Sequence, residues 1–141
     1  MWVAMIANKV CPVIFRGLGA AREILAFEHP QAGYQLVKGT IEPNESIEDA
    51  ALRELAEETG ITGARIVRHL GLWETGHDNQ IWAFVECAVT RPPPDSWTHY
   101  VHDDGGHMFT FFWYPLGEHT AATQWHQVFR DALVFIERAA G

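Results

Sequence analysis

Three glutamates, Glu54, Glu57 and Glu58, lie close together near the middle of the chain. On a helix, residues three and four apart are neighbours, so these carboxylates would share one side. Carboxylate oxygens suit the hard ions Mg²⁺ and Mn²⁺, and several acids on one helical face can hold more than one ion beside a phosphate. A solvated charged face is the common alternative for an isolated acidic run, so the surrounding pattern decides between the two interpretations.

The glutamates fall inside a segment that has the start and stop signals of a helix. Ser46 followed by Asp49 resembles a capping box, in which a hydroxyl accepts an early backbone amide and an acid lies in the positively polarised first turn. Gly60 is the residue type that most easily adopts a left-handed conformation just past a helix end. These signals predict a helix over residues 46–59.

The predicted helix has a broad apolar arc, and the glutamates lie within this arc or at its edge. Like charges at this spacing repel one another, and partial burial raises the pKa of a carboxyl group. A bound cation removes both costs. The apolar arc consists of Ile47, Ala50, Ala51, Leu52 and Leu55.

The residues around this helix match a known motif at every specified position. The pattern is Gly39, five residues, Glu45, seven residues, Arg53, Glu54, Leu55, one residue, Glu57, Glu58, one residue, Gly60 and Ile61. With this box the chain resembles the Nudix hydrolase family of MutT-like proteins. The box covers 23 of the 141 residues, and the order of strands and helices outside it is also similar. Inside an intact box, a metal site becomes the preferred interpretation of the glutamates.

The resemblance implies a role for each position of the box. Glu54, Glu57 and Glu58 would bind divalent ions together with the backbone carbonyl of Lys38, and the guanidinium of Arg53 would hold the glutamates in place. Mg²⁺ or Mn²⁺ is the expected cofactor. The positions with structural roles would be Gly39, Glu45 and Gly60.

The resemblance also implies the reaction, which is hydrolysis of a diphosphate linkage in a nucleoside diphosphate joined to another moiety. Water attacks one phosphorus, divalent ions neutralise charge on the phosphate oxygens, and a carboxylate accepts the proton. Glu57 is the first choice for this base, and Asp103 and Asp104 are the alternatives. The predicted catalytic group is Arg53, Glu54, Glu57 and Glu58.

The sequence indicates the substrate class less clearly than it indicates the reaction. Lys38 before Gly39 resembles the Lys-Gly pair of members that hydrolyse dinucleoside polyphosphates or diphosphoinositols, although Val37 replaces the usual proline. We expect dinucleoside polyphosphates or nucleoside triphosphates, with Lys38 binding substrate. His77, and Trp97 as the least core-like tryptophan, are further candidates for substrate contacts. A non-catalytic nucleotide sensor of the same fold is the alternative, and the complete set of acids argues against it.

Composition agrees with a single globular domain over residues 1–141. Hydrophobic residues make up 48% of the chain and aromatic residues 12%. The net charge of −8 argues against a nucleic-acid duplex as partner. Cys11 and Cys87 lie in apolar surroundings, which predicts buried reduced thiols and a cytoplasmic setting. No stretch approaches the roughly 20 apolar residues that span a bilayer, so no membrane partner is expected, and a homodimer is left open.

The elements that must position the site follow from hydrophobic periodicity. Strand segments are predicted within 2–15 and at 23–28, 34–37, 64–73, 80–90 and 108–114, and a second helix at 123–139. Residues 91–106, with three prolines and an Asp-Asp-Gly-Gly run, are predicted to form a long loop. Two helices around mixed strands indicate an α+β sandwich. The resemblance implies an α/β/α sandwich in which a mixed, curved sheet lies between helices, with the box as a loop, helix and loop at its side.

Overall fold

The part of the chain that the structure describes combines strands with two helices. A computed structural model describes residues 5–117 and 124–141. No helix in these ranges is long and apolar enough to cross a membrane. The elements, apart from two short 3-10 turns, are β1 (Lys9–Val13), β2 (Phe15–Arg16), β3 (Glu23–His29), β4 (Gly33–Gln35), β5 (Gly39–Thr40), α1 (Ile47–Thr59), β6 (Arg65–Glu74), β7 (Ile81–Ala88), β8 (Trp97–Val101), β9 (His107–Pro115) and α2 (Gln127–Ala140).

The strands form two sheets. Sheet A has the order β5-β1-β7-β6 and is mixed, because β1 and β7 run parallel while the other neighbours are antiparallel. Sheet B has the order β2-β3-β9-β8, and β4 also pairs with β3; all of its pairs are antiparallel. Strands far apart in sequence, such as β3 and β9, therefore lie side by side.

The two helices cover opposite faces of these sheets. Side chains alternate across a strand, so consecutive residues such as Val10 and Cys11 belong to different clusters. The predicted α/β/α sandwich is therefore confirmed. The cluster beneath α1 includes Val10, Phe27, Leu55, Val85 and Phe111. The cluster beneath α2 includes Cys11, Ala26, Trp82, Phe129 and Ile136.

Helix α1 begins and ends where the sequence signals predict. The Ser46 hydroxyl accepts a hydrogen bond of 3.0 Å from the backbone N–H of Asp49, which satisfies one of the amides without an intrahelical partner. Gly60 adopts a φ of 81° at the other end, in the left-handed region that glycine tolerates. The local sequence thus determines both ends of the helix that carries the glutamates.

The prediction of one continuous loop over residues 91–106 is wrong. Trp97–Val101 forms β8, which pairs with β9 along its whole length. The side chains of Trp97, His99 and Val101 are at least partly buried, whereas Thr98 and Tyr100 are exposed, as expected for an edge strand. The prolines before β8 and the glycines after it are typical of loops, so the alternation of buried and exposed residues in this short strand was not recognised in the sequence.

Smaller differences concern the ends of elements. The predicted strand segment within 2–15 begins only at Lys9, and residues 1–4 lie outside the described residues. The strand predicted at 34–37 is Gly33–Gln35, and the two-residue β5 was not predicted. The second helix begins at Gln127, while the start predicted at Thr123 lies outside the described residues.

Candidate active site

A cavity of about 550 Å³ lies beside α1, where residues of sheet A and sheet B meet the box. Residues from α1, from both sheets and from the segment that follows β8 line it. The cavity therefore exists only when distant parts of the chain have assembled. The specified positions of the box that line it are Gly39, Arg53, Glu54, Glu57 and Glu58.

Glu54 and Glu58 are both buried against this cavity, with relative exposures of 7% and 8%. Burial, and after it a hydrogen bond and repulsion from Glu54, raises the pKa of Glu58 to about 10. Glu58 is therefore protonated at neutral pH in the absence of a cation and donates its proton toward Glu54. Two buried carboxyl groups that share one proton form a site where a cation would relieve repulsion.

Gly39 provides the space that Glu54 occupies. A Cβ atom added at Gly39 would collide with the carboxylate of Glu54. The glycine of the box is therefore required for the close approach of a side chain, because any larger residue would displace the buried glutamate.

Arg53 connects the acids of the box to one another. Its Nε and Nη2 atoms donate to the two carboxylate oxygens of Glu45 at 2.7 and 2.8 Å. Its Nη1 atom donates to Glu54 at 2.9 Å and to Glu57 at 3.3 Å. The hydrogen bonds from Arg53 are the main reason why the pKa of Glu45 falls to about 2. Glu45 thus anchors the guanidinium, and the guanidinium orients the two cavity glutamates.

Both groups of candidate bases lie near the same cavity. Glu57 lines it and is half exposed, so its carboxylate is accessible to water. Asp103 also lines it and is near enough for its charge to raise the pKa of Glu58. The side chain of Asp104 lies outside the described part of the chain.

The donor chemistry of the cavity fits a hard divalent ion, although no ready-made cluster is present. Among the described residues, no group of three His, Cys, Asp or Glu side chains is arranged to hold a metal. Oxygens of Glu54 and Glu57 accept hydrogen bonds from Arg53, and the carboxyl group of Glu58 carries a proton. These oxygens are therefore not arranged around a common point. Carboxylate oxygens are nevertheless the ligands that Mg²⁺ and Mn²⁺ prefer. The residue before Gly39, Lys38, belongs to the same cavity.

Two lysines give the sheet A side of the cavity a positive character. Lys9 donates from Nζ to the Thr40 hydroxyl at 2.6 Å. The Nζ atom of Lys38 lies 5.0 Å from the ring centroid of Trp82, within cation-π range. Burial, and after it the charge of Lys9, lowers the pKa of Lys38. These ammonium groups offer contacts to an anionic ligand.

His77 does not line the cavity. It lies in the turn between β6 and β7, where its Nε2 atom is 3.2 Å from the carboxylate of Asp78. Its ring centroid is 6.2 Å from that of His126, before α2. The substrate contact predicted for His77 remains a prediction without support from this placement.

Trp97 is also absent from the cavity lining, and its assignment to a polar loop is wrong. Its ring stacks on Phe111 in β9, with centroids 5.0 Å apart and planes at 15°. Its indole N–H donates to the carbonyl of Thr59 at 2.9 Å. Trp97 thus supports the C-terminal end of α1, and its predicted contact with substrate remains untested.

Several cavity residues escaped the sequence analysis. They come from β1, β3, β4, β5, β8 and β9 and from the segment before α1, and the pairing of strands distant in sequence brings most of them to one place. The one local signal was the alternation of His107, Phe109 and Phe111 in β9, which places an imidazole on the same face as buried aromatic rings. The lining residues not predicted for the site are Lys9, His29, Gln35, Thr40, Glu42, Val101, His107 and Phe109.

Comparison with known proteins agrees with this geometry. The NUDIX domain profile matches residues 10–133. An Ap4A hydrolase from C. elegans, solved as a binary complex, is 19% identical with a TM-score of 0.65, covering 94% of this chain and 96% of that chain. A MutT protein from Methanosarcina mazei Go1 is 21% identical with a TM-score of 0.65, covering 97% and 96%. An ADP-ribose pyrophosphatase from Streptococcus suis 89-1591 is 13% identical with a TM-score of 0.62, covering 94% and 90%.

These solved structures share the fold of this chain at low sequence identity. No curated protein matches the chain. The NUDIX profile nevertheless extends over most of the sequence, and the residues of the box meet in one cavity. The chain therefore belongs to the NUDIX family of pyrophosphohydrolases.

Proposed function

We propose that this protein is a divalent-metal-dependent hydrolase that cleaves a diphosphate linkage in a nucleoside diphosphate joined to another moiety. The observation that carries the proposal is the buried pair of Glu54 and Glu58, which share a proton in a cavity that two lysines also line. Dinucleoside polyphosphates and nucleoside triphosphates are the substrates that we favour. An Ap4A hydrolase and a MutT protein with the same fold support this choice.

Mg²⁺ or Mn²⁺ is the proposed cofactor. The carboxylates of Glu54, Glu57 and Glu58 and the backbone carbonyl of Lys38 would hold it. Bound there, the ion would neutralise negative charge on the oxygens of the diphosphate. Arg53 would keep the first two glutamates oriented through the hydrogen bonds that it forms to them.

Glu57 is the proposed general base. Its half-exposed carboxylate lies at the cavity, where it can meet water and accept a proton from it. Asp103 is the alternative within the same cavity, and Asp104 remains the second alternative from the sequence. The base would accept one proton from the attacking water. Positioning and electrostatic stabilisation of the diphosphate would supply the rest of the rate enhancement.

Lys38 is the proposed contact for the phosphate chain, and Lys9 joins it on the same side of the cavity. Two ammonium groups suit an anionic chain whose scissile linkage lies at the glutamates. We further propose that residues 1–141 act as a single domain on small molecules. The buried free thiols of Cys11 and Cys87 support a reducing compartment such as the cytoplasm.

The decisive experiment is turnover of purified protein with Mg²⁺ against dinucleoside polyphosphates, nucleoside triphosphates, nucleotide sugars and diphosphoinositols, with products separated by anion exchange. We expect Glu57→Gln to lower kcat by at least about 100-fold, as removal of a general base does. The matched control is Glu48→Gln, which alters a partly exposed acid of the same helix and should leave kcat unchanged.

The outcomes separate the proposals. Turnover that depends on Mg²⁺ and is lost in Glu57→Gln would establish the hydrolase and its substrate class. Near-normal turnover by Glu57→Gln would remove Glu57 from the role of base and direct the same test to Asp103→Asn. Nucleotide binding without turnover of any compound would favour the non-catalytic sensor.

A further inference from the structure

One wall of the cavity carries rings where the others carry charges. In sheet B, Phe27 pairs with Gln35 on one side and with Phe111 on the other, so these side chains share a face. Residues two positions further along a strand point to the same face, and this places His29 and His107 there as well. We call this surface the ring wall; it consists of His29, Phe109 and His107, with Gln35 beside them.

The ring wall is continuous and anchored in the core. The centroid of His29 lies 4.6 Å from that of His107 and 5.4 Å from that of Phe109. Phe109 in turn stacks on Phe27, with centroids 4.2 Å apart and planes at 16°. The backbone N–H of Gln31 donates to Nδ1 of His29 at 3.0 Å, which restrains that imidazole. A ligand would therefore meet a preformed surface, which lowers the entropic cost of binding.

The charges of the cavity are distributed unevenly around it. The acids that line the cavity lie on α1, at Glu42 before it and at Asp103 after β8, whereas Lys9 and Lys38 lie on the sheet A side. The ring wall contains no carboxylate, ammonium or guanidinium group, and its two imidazoles are only partly buried. A phosphate chain is therefore better matched by the lysines, whereas the ring wall matches a planar heterocycle that stacks and needs few hydrogen bonds. The amide of Gln35 offers both a donor and an acceptor to the edge of such a ring.

We propose that the ring wall binds the nucleobase of the substrate and that His29 and His107 are residues that determine substrate specificity. The proposal rests on the proposed function, because the diphosphate is taken to lie at the glutamates of α1. It places the nucleobase on sheet B and the phosphate chain on sheet A. Base recognition thus comes from residues outside the box.

The test compares two ligands that share a phosphorylated ribose and differ in the base. We would titrate AMP and ribose 5-phosphate by calorimetry into the wild-type protein, into His107→Ala and into His29→Ala. Because stacking of a base on an aromatic side chain contributes to affinity, we expect the affinity for AMP to fall by about tenfold in each variant. The affinity for ribose 5-phosphate should not change.

The matched control is Met108→Ala, which removes a half-exposed side chain from the opposite face of β9. We expect it to leave both affinities unchanged. Thermal melts establish that each variant folds, and His107→Asn replaces His107→Ala if the alanine variant does not. In turnover assays, the same histidine variants should raise KM for a nucleotide substrate and leave kcat unchanged.

Three outcomes would overturn the proposal. Equal losses of affinity for AMP and ribose 5-phosphate would assign the histidines to the phosphate instead of the base. Unchanged affinity for AMP in both variants would remove them from recognition. A wild-type protein that binds AMP no more tightly than ribose 5-phosphate would exclude a base subsite. Since none of these measurements needs turnover, a protein that fails to hydrolyse any substrate still tests the ring wall separately.

Discussion

Glu58 shows how a single residue can be unfavourable for folding and useful for binding. Its carboxyl group is buried beside Glu54, and the pKa is raised from an ordinary 4.5 to about 10. Sequence reasoning anticipated the direction, because an acid within an apolar helical arc loses hydration. A divalent cation would replace the proton, so the group that destabilises the protein at high pH is also the group that favours cation binding.

The raised pKa predicts that the metal-free protein loses stability as pH rises. Between about pH 5 and about pH 9 the folded state keeps a proton on Glu58 that the unfolded state has released, so unfolding becomes easier with each pH step. Glu58→Gln removes this titration, and we expect its free energy of unfolding to depend less on pH and to exceed that of the wild type at about pH 9. Urea denaturation in EDTA at three pH values measures it.

The control for this prediction is Glu28→Gln, which alters an exposed acid and should follow the wild-type curve. Added Mg²⁺ should stabilise the wild type more at about pH 9 than at about pH 6, because it competes with the proton on Glu58. Parallel pH curves for wild type and Glu58→Gln would contradict the assignment of a buried, protonated carboxyl group.

The contrast between the box and the ring wall explains what could be predicted for single residues. Arg53 and Glu57 are four residues apart on one helix, and their interaction follows from this local spacing. His29 and His107 are neighbours only because β3 and β9 pair, and nothing in the flanking sequence of either indicates the other. The motif therefore identifies the arginine and glutamates on α1, and it leaves the residues that distant strands bring to the cavity undefined.

Among the elements, α1 carries the glutamates that we propose act in catalysis, and its N-terminal cap depends on one side chain. Ser46→Ala removes the 3.0 Å hydrogen bond to the backbone N–H of Asp49 and leaves that amide without its partner. We expect a loss of about 1 kcal/mol in the free energy of unfolding, as for other helix caps, with kcat within about a factor of two because the glutamates lie in later turns. Urea denaturation and initial rates measure the two effects.

The control for the cap is Ser96→Ala, which changes an exposed serine before β8 and should leave stability unchanged. A Ser46→Ala protein as stable as this control would show that the hydrogen bond contributes nothing measurable. A large loss of kcat would show that the position of the first turn affects the geometry of Glu54 and the residues after it.

The elements differ in how far the sequence predicted them, and the reason is physical. The ends of α1 are set by side chains within the helix and next to it, and both were predicted. The short β8 is stabilised by pairing with β9 and by the packing of Trp97 on Phe111, which are interactions with a distant part of the chain. Local pattern reading is informative where local contacts determine structure, and it missed β8 for this reason.

At the scale of the whole molecule, the site depends on the packing of the two sheets against each other. It also depends on α1, which covers one face of the sheets. The core clusters beneath the two helices each contain one cysteine, so the thiols report on opposite sides of the central layer. Cys11 is 0% exposed and Cys87 is 2% exposed. A reagent that reaches either thiol therefore detects the separation of a helix from the sheets.

This arrangement predicts that native protein resists thiol-specific reagents. Burial raises the pKa of Cys11 far above its usual range, and burial, followed by the charge of Glu86, raises the pKa of Cys87 to about 11. Because the thiolate is the reactive form, we expect dithionitrobenzoate at about pH 8 to react rapidly with both thiols in concentrated guanidinium chloride and slowly in the native protein. In the native protein the reaction should become independent of reagent concentration when opening of the fold limits it. In Cys11→Ala and Cys87→Ala only one thiol remains, so these variants show which thiol each part of the reaction comes from. Immediate reaction of either thiol would show that its side of the sandwich opens independently of global unfolding.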